Sequence, residues 1–218
     1  METAPSKATQ HSIRPRQRFR ELSDAERAKS LSETLALRSR EEPLWVFGYG
    51  SLMWKPCFDY DHVEDARLEG HVRSFCIWTV IARGSLENPG LGLGLRRGEG
   101  RVGGKLFRLS EATLGEGLHA LWEREMLTGI YRPHWLKFEG EGGERRAITF
   151  VVDESHPQFA GELELRRQAE IIAAAVGKFG RCRDYLAETL QALDRSGLRD
   201  DGMGELLRQV DLIVVGEY

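Results

Sequence analysis

The sequence contains little cysteine and no recognisable spacing of metal ligands. Its three cysteines, Cys57, Cys76 and Cys182, are far apart and form no Cys-x-x-Cys pair. An odd and dispersed set argues against a disulfide framework and favours a reducing compartment. The six histidines show neither His-x-His nor His-Glu-x-x-His spacing. We therefore expect no metal site, and nothing in the sequence orients Cys57 with His62 as a nucleophile pair.

Long apolar runs and a strong charge of either sign are also missing. No stretch approaches the ~18 consecutive apolar residues of a membrane span, and the N-terminus lacks the apolar segment of a secretory signal. The formal net charge of −3 provides no global attraction to nucleic acid or to an anionic membrane. We expect a cytoplasmic protein with a small-molecule partner. The sequence leaves the oligomeric state open, with a monomer as the working expectation.

Nucleotide-binding loops are absent even though the chain has 24 glycines. The run 90–95 fails the Gly-x-Gly-x-x-Gly template because Leu95 stands where the third glycine belongs. Gly-Gly-Lys at 103–105 is followed by Leu106, whereas a P-loop needs Ser or Thr to bind magnesium. Ser51 also lacks the Gly-x-Ser-x-Gly elbow of an acyl nucleophile. These patterns exclude the common nucleotide and serine-hydrolase motifs.

The chain divides into a polar N-terminal extension, residues 1–43, and one domain, residues 44–218. Hydrophobic residues make up 41% of the sequence, enough for a sizeable core. In the extension, residues 14–20 are basic and residues 23–40 have a helical pattern, with acidic residues near its start. We expect either a solvated tail or a helix packed on the outside of the domain. An arm that contacts nucleic acid remains an alternative for the basic stretch.

Residues 44–152 are mostly β in pattern and the last third is helical. The predicted strands are 44–47, a strand pair within 66–82, separate strands at 91–95 and 103–109, and a hairpin of 131–138 with 145–152. A helix is predicted from Ser110, and further helices at 163–176, 182–193 and 204–210. Strands, a helix, strands and helices in this order predict an α+β fold. Its mixed or antiparallel sheet either stays open or closes into a small barrel, with helices outside.

Two stretches carry candidate chemistry. The first is the strand 44–47, which ends in a glycine turn whose Gly50, Ser51 and Leu52 amides are placed to bind a carboxylate or an oxyanion. An ordinary turn, with glycines that serve only backbone geometry, is the alternative. The second is Glu125, which lies about 20° from Leu114 around the helix axis and so on the buried stripe. Burial would raise its pKa and suit it to general acid–base catalysis. The alternatives are a buried ion pair or a helix-end residue that reaches solvent.

Several segments together resemble the ChaC-type γ-glutamylcyclotransferases over about residues 44–212. They are Trp45-Val-Phe-Gly-Tyr-Gly-Ser-Leu-Met-Trp-Lys-Pro56, Pro89-Gly-Leu-Gly-Leu-Gly-Leu95, Arg124-Glu125 with Tyr131-Arg-Pro133, and 177–186 ending in Arg-Asp-Tyr-Leu. The resemblance implies a cytosolic, cofactor-free enzyme that converts glutathione to 5-oxoproline and cysteinylglycine, on a small β-barrel with flanking helices. It implies Glu125 as the catalytic residue and a substrate-binding set of Val46, Phe47, Gly48, Tyr49, Gly50, Ser51, Leu52 and Tyr185.

The residues fit that chemistry. The α-amine of a γ-glutamyl group can attack its own γ-carbonyl, so the enzyme needs to fold the substrate rather than supply a nucleophile. Glu125 would move the proton, and the turn amides would hold either the α-carboxylate or the γ-carbonyl oxygen. The Tyr49 and Ser51 hydroxyls should matter less than these amides. The alternatives are a cyclotransferase for other γ-glutamyl amino acids or amines, and a non-catalytic protein that binds γ-glutamyl compounds.

Overall fold

The protein is described by a computed structural model covering residues 14–39 and 42–216. Five α-helices and seven β-strands follow one another along these residues. The helices are α1 (Asp24–Leu35), α2 (Leu114–Glu125), α3 (Leu165–Ala174), α4 (Cys182–Arg195) and α5 (Asp201–Val215). The strands are β1 (Trp45–Gly48), β2 (Tyr60–Thr79), β3 (Gly90–Leu109), β4 (Tyr131–Gly140), β5 (Gly143–Val152), β6 (Val176–Gly177) and β7 (Gly180–Arg181).

Five of the strands close into a barrel in the order β1-β3-β2-β4-β5. Neighbouring strands are antiparallel except where β5 meets β1 and β3, which pair with it in parallel through Val46 with Ile148 and Leu95 with Val151. These parallel contacts close the sheet on itself and leave no free edge there. The predicted α+β fold with a mixed sheet is confirmed, and of the two forms that the sequence left open the barrel is the one found.

The longest strands of the barrel differ from the sequence prediction. Residues 60–79 form one strand, not a strand pair within 66–82, and residues 90–109 form one strand rather than two. The reason is a bulge: the register of β2 on β3 shifts between Glu69 and His71, and Gly70 there has a φ of +70°. A bulge bends a strand without ending it. The glycines and charged residues near Gly70 and Gly100, which look like strand ends in the sequence, therefore mark a bend in one long hairpin.

The alternating glycines of β3 make room for neighbouring side chains. A Cβ placed on Gly94 would lie 2.3 Å from Cγ2 of Val152 and 2.8 Å from Sγ of Cys76. The space beside Gly94 is therefore filled from β5 and β2. At this position the bare strand face relieves crowding within the barrel wall.

The part of the N-terminal extension that the structure describes packs on the domain. Helix α1 begins with a capping box, in which Ser23 and Glu26 each bond the other's backbone amide. It contacts α2 and the barrel through two indole groups: Trp122 donates to Ser30 Oγ at 3.2 Å, and Trp135 donates to the Thr34 carbonyl at 2.8 Å. Of the two expected arrangements, a solvated tail or a packed helix, the packed helix is found. It ends at Leu35, whereas the predicted helical pattern extended to residue 40, which lies outside the described residues.

Candidate active site

The strand β1 and the turn after it form one wall of a small cavity. Side chains alternate along a strand, so Phe47 points into the barrel core and Val46 packs on the other side, in the layer below α2. Gly48 lies where a Cβ would come within 2.9 Å of Cβ of Leu52. The missing side chain therefore lets the chain fold back tightly into a single 3₁₀ turn, Ser51–Met53.

The 3₁₀ turn leaves backbone donors free at its start. Its first bond runs from the Met53 amide to the Gly50 carbonyl at 2.9 Å. Within the part of the chain that the structure describes, the amides of Gly50, Ser51 and Leu52 donate to no protein acceptor. Such orphan N–H groups at the start of a helical turn are the usual ligands of an anionic oxygen.

Glu125 faces this turn from the last position of α2. Its side chain is 15% exposed, whereas that of Glu123, two residues earlier, is 57% exposed. The helical periodicity thus predicted correctly which carboxylate turns inward. The cavity that Glu125 enters has a volume of about 30 Å³. It is lined by Phe47, Tyr49, Gly50, Ser51, Leu52, Leu93, Glu125, Tyr131, Phe150 and Tyr185.

Seven of the nine residues that the resemblance implied for the site meet in this cavity, and Val46 and Gly48 do not line it. Val46 is fully buried among apolar residues between the barrel and α2. Gly48 acts on the backbone path, as described above. These two residues therefore support the cavity from behind, through the neighbouring Phe47, Tyr49 and Gly50, and do not face it.

Burial shifts the pKa of Glu125 upwards. Removal from water raises the pKa of its carboxyl group, because the charged form loses hydration. The guanidinium of Arg124 lowers the pKa and so opposes part of this effect. The Nε of Arg124 lies 3.4 Å from Oε1 of Glu125, and the ion pair is partly exposed at the cavity mouth. Glu125 is thus a carboxylate with a pKa closer to neutrality, which suits a group that both takes and returns a proton.

Three tyrosines surround the carboxyl group and stay neutral. Burial and the nearby Glu125 charge raise the pKa of Tyr49, Tyr131 and Tyr185 above the usual phenol value. The Tyr49 hydroxyl donates to the Phe150 carbonyl at 2.9 Å, and that of Tyr131 donates to the Leu93 carbonyl at 2.6 Å. Because both hydroxyls donate to main-chain carbonyl groups of the barrel wall, the rings of Tyr49 and Tyr131 are held in place as part of the cavity lining.

Tyr185 comes from α4 and closes the opposite side of the cavity. Its ring centroid is 5.9 Å from those of both Trp54 and Phe75, and the Arg83 guanidinium lies 5.4 Å from it. A Cβ on Gly50 would be 3.4 Å from the Tyr185 hydroxyl oxygen. The phenol therefore lies directly beside the orphan amides.

The sequence reasoning did not assign a site role to Tyr131, Leu93, Phe150 or Arg124. Tyr131 and Arg124 stand in the segments that carried the family resemblance, and that was the available signal. Leu93 and Phe150 come from β3 and β5, and only strand register places them beside the turn. Arg124 bonds the turn itself, donating to Ser51 Oγ at 2.6 Å and to the Lys55 carbonyl at 2.5 Å.

A larger cavity, of about 370 Å³, lies between α1 and α2, away from the Glu125 cavity. Its charged groups already have partners: Arg27 bonds Asp24 and the Leu22 carbonyl, and His119 lies 3.4 Å from Glu123. Several of its lining residues are apolar (Ala28, Leu31, Leu35 and Trp122), and its two carboxylates, Asp24 and Glu123, are largely exposed. Size therefore does not identify the site, and the chemistry points to the smaller cavity.

Residues 14–39 and 42–216 contain neither a metal-binding cluster nor a membrane-spanning helix. No group of three or more His, Cys, Asp or Glu side chains in this part of the chain is arranged to hold a metal ion. Nor does any described helix combine the length and apolar character needed to cross a bilayer.

Comparison with known proteins gives consistent results. The family model described as ChaC-like protein matches residues 44–212. A glutathione-specific γ-glutamylcyclotransferase of Escherichia coli (strain K12) is 39% identical over 194 residues, covering 88% of this chain and 84% of that protein. At 88% coverage the similarity extends N-terminal of residue 44. The glutathione-specific enzyme of Schizosaccharomyces pombe is 29% identical, over 71% of this chain and 85% of its own length.

Among solved structures, a yeast γ-glutamylcyclotransferase specific to glutathione matches with a TM-score of 0.72. The match covers 78% of this chain and 96% of the yeast chain, at 21% sequence identity. That identity is low, so this match supports the fold. The family-model match and the Escherichia coli relative show that the chain belongs to the ChaC-like family.

Proposed function

We propose that this protein is a glutathione-specific γ-glutamylcyclotransferase that releases 5-oxoproline and cysteinylglycine. The observation that carries the proposal is the meeting of Glu125 with the free amides of Gly50, Ser51 and Leu52 in one cavity. Relatives from bacteria, fungi and animals that bear this name support glutathione as the substrate.

The reaction needs one proton carrier and one anion site. Glu125 takes a proton from the α-ammonium of the γ-glutamyl group, which frees the amine to attack its own γ-carbonyl carbon. A C–N bond forms and closes the five-membered ring. The amide C–N bond to cysteine then breaks as Glu125 gives its proton to the departing amine. Glu125 next takes the second proton from the ring nitrogen and passes it to the same amine, which leaves as an ammonium. Because the enzyme holds the amine and the γ-carbonyl carbon of one substrate close together, binding energy lowers the entropic part of the activation barrier.

The turn amides act on the oxygens of the substrate. Donors on Gly50, Ser51 and Leu52 bind the γ-carbonyl oxygen as negative charge develops, or hold the α-carboxylate that fixes the fold of the substrate. A well-placed donor to a developing oxyanion contributes about 3 kcal/mol. Tyr185 packs beside this oxygen site, while Phe47 and Tyr49 form the wall against which the γ-glutamyl chain folds.

The same proposal covers organisation and location. Residues 44–218 form the catalytic domain, and residues 1–43 are an extension whose helix α1 supports α2 from outside. A monomer remains the working expectation for the oligomeric state. The free cysteines and the small-molecule substrate support a cytoplasmic location.

The first experiment measures 5-oxoproline by mass spectrometry after the purified protein is mixed with glutathione. We expect turnover of glutathione and much slower release of 5-oxoproline from γ-glutamyl-alanine. Equal turnover of both compounds would reassign the enzyme to γ-glutamyl amino acids in general. Stoichiometric binding of glutathione without any product would identify a binding protein and overturn the proposal.

The pH dependence of kcat/KM should reveal the environment of Glu125. The general base must be ionised, so activity is lost as the pH falls through its pKa. Because burial raises that pKa, the loss should begin at a higher pH than for an exposed glutamate, whose pKa is about 4.3. A rate profile that stays flat down to about this value would contradict an essential, buried Glu125 base.

A further inference from the structure

Arg124 connects three parts of the site at once. Its Nη2 donates to Ser51 Oγ at 2.6 Å and its Nη1 donates to the Lys55 carbonyl at 2.5 Å, so one guanidinium holds both ends of the Ser51–Met53 turn. Its Nε lies 3.4 Å from the Glu125 carboxylate. The planar guanidinium presents these donors in a fixed fork, which a flexible ammonium does not.

The turn and α2 also make an apolar contact. Leu52 packs in the same cluster as Leu118 and Leu121 of the helix. Apolar packing is strong but non-directional, so it brings the two elements together without fixing how they slide along each other. The directional hydrogen bonds from Arg124 to Ser51 and Lys55 fix the position of the turn along the helix axis, which we call the offset. The offset sets the distance between the Glu125 carboxylate and the free amides of the turn.

We propose that Arg124 is a positioning residue, which clamps the amide-bearing turn to the end of α2 and holds the anion site in register with Glu125. This proposal rests on the proposed cyclotransferase function. Arg124 is not required to touch the substrate. Its action on the reaction passes through Ser51, Lys55 and Glu125.

The surroundings of Glu125 give the clamp a second, electrostatic effect. The groups that face the carboxylate are Arg124 on its own helix, Tyr49 at the end of β1, Tyr131 in β4, Tyr185 in α4 and Cys57 after the turn. Burial raises the pKa of the three phenols and of the Cys57 thiol, so these groups are neutral at physiological pH. The positive charge of Arg124 therefore acts against neutral neighbours and lowers the pKa of Glu125.

Three variants separate geometry from charge. Ser51→Ala removes one anchor of the clamp and keeps the guanidinium. Arg124→Lys keeps the positive charge but cannot hold both anchors at once. Arg124→Gln removes the charge and the fork together. Arg101→Gln, which breaks an exposed ion pair with Glu69 elsewhere on the barrel, serves as the control.

The readout is the pH profile of kcat and of kcat/KM for glutathione, with thermal unfolding of each variant. We expect Ser51→Ala and Arg124→Lys to lose roughly 10-fold in kcat/KM, with the acidic limb of the profile unmoved. Arg124→Gln should lose up to roughly 100-fold, the scale of a displacement of about 1 Å in a site. Its acidic limb should move to higher pH, because Glu125 loses the charge that favours its ionised form.

A second measurement does not depend on turnover. NMR titration of ¹³C-labelled glutamate carboxyls should show a higher Glu125 pKa in Arg124→Gln than in the wild-type protein or in Arg101→Gln. If the wild-type protein released no 5-oxoproline, the proposed function would fail while this titration still tested the contact between Arg124 and Glu125. An unmoved Glu125 pKa in a folded Arg124→Gln variant, or kcat/KM within twofold of wild type, would overturn the proposal.

Discussion

Glu125→Gln is expected to slow the release of 5-oxoproline from glutathione by roughly 10²- to 10⁴-fold, the usual contribution of a positioned general base. The amide keeps the shape of the side chain and its place at the end of α2. It cannot accept the proton of the α-ammonium. The measurement is kcat by mass-spectrometric detection of product, and retained activity would remove Glu125 from the mechanism.

The same substitution should stabilise the folded protein at neutral pH. The folded-state pKa of Glu125 is raised, so ionising this group costs stability once the pH rises above the pKa that it has in the unfolded chain. Glutamine carries no such cost. The Tm of Glu125→Gln should exceed that of the wild-type protein at neutral pH. The difference should disappear as the pH falls to where Glu125 is protonated in both the folded and the unfolded protein. A lower Tm for Glu125→Gln at pH 7 would contradict a desolvated carboxylate.

Glu123→Gln is the matched control. It changes the same residue type on the same helix, but its side chain is 57% exposed and points away from the cavity. Neither kcat nor the pH profile should change beyond twofold. Both variants remove one negative charge from α2. If only Glu125→Gln loses activity, the loss is caused by the side chain that enters the cavity and not by the change in the charge of the helix.

Gly104→Ala is expected to damage both the barrel and the site. A Cβ at this position of β3 would lie 2.4 Å from the Gly48 carbonyl oxygen and 2.6 Å from the ring of Phe47. A backbone atom cannot rotate away, so β1 must shift, and overpacking of this kind costs about 1–3 kcal/mol. For a chain of this size each kcal/mol corresponds to about 2–4 °C in Tm. Thermal unfolding measures this loss.

The displaced β1 ends in the turn that carries the free amides, so kcat/KM should fall together with Tm. Gly115→Ala in α2 is the control, because a Cβ there meets no atom within 4 Å. It should leave activity unchanged and add up to about 1 kcal/mol of stability through helix propensity. A Gly104→Ala protein with wild-type Tm would show that β1 has room to move, which would contradict the packing described above.

Local pattern was enough to find the two elements that meet in the candidate site. Period 3.6 placed Glu125 on the buried stripe of α2, and a strand followed by glycines predicted the tight turn at residues 48–52. Val46 and Phe47 face opposite sides of β1, yet the substrate segment implied by the family was taken as continuous. A side-chain alternation argument would have separated the lining residues from the supporting ones.

Strand ends were harder to predict than strand faces. The long strands β2 and β3 pass through positions that read as breaks, because a bulge at Gly70 bends the pair without ending it. Whether a glycine marks a turn or a bulge depends on what pairs with it across the sheet. That partner lies some thirty residues away at Arg101, which pairs with Glu69, and no local window contains both.

The sequence by itself determined which residue types were available and which way each faced along its own element, since helix and strand periodicity are local properties of the backbone. Only the tertiary structure decided that Tyr131, Tyr185 and the turn at Ser51 meet at Glu125, and that the barrel closes through β5. These outcomes depend on strand register and on helices docking across the barrel. Burial then raises the pKa of Glu125, because the loss of water is a property of the assembled cavity and not of any one segment.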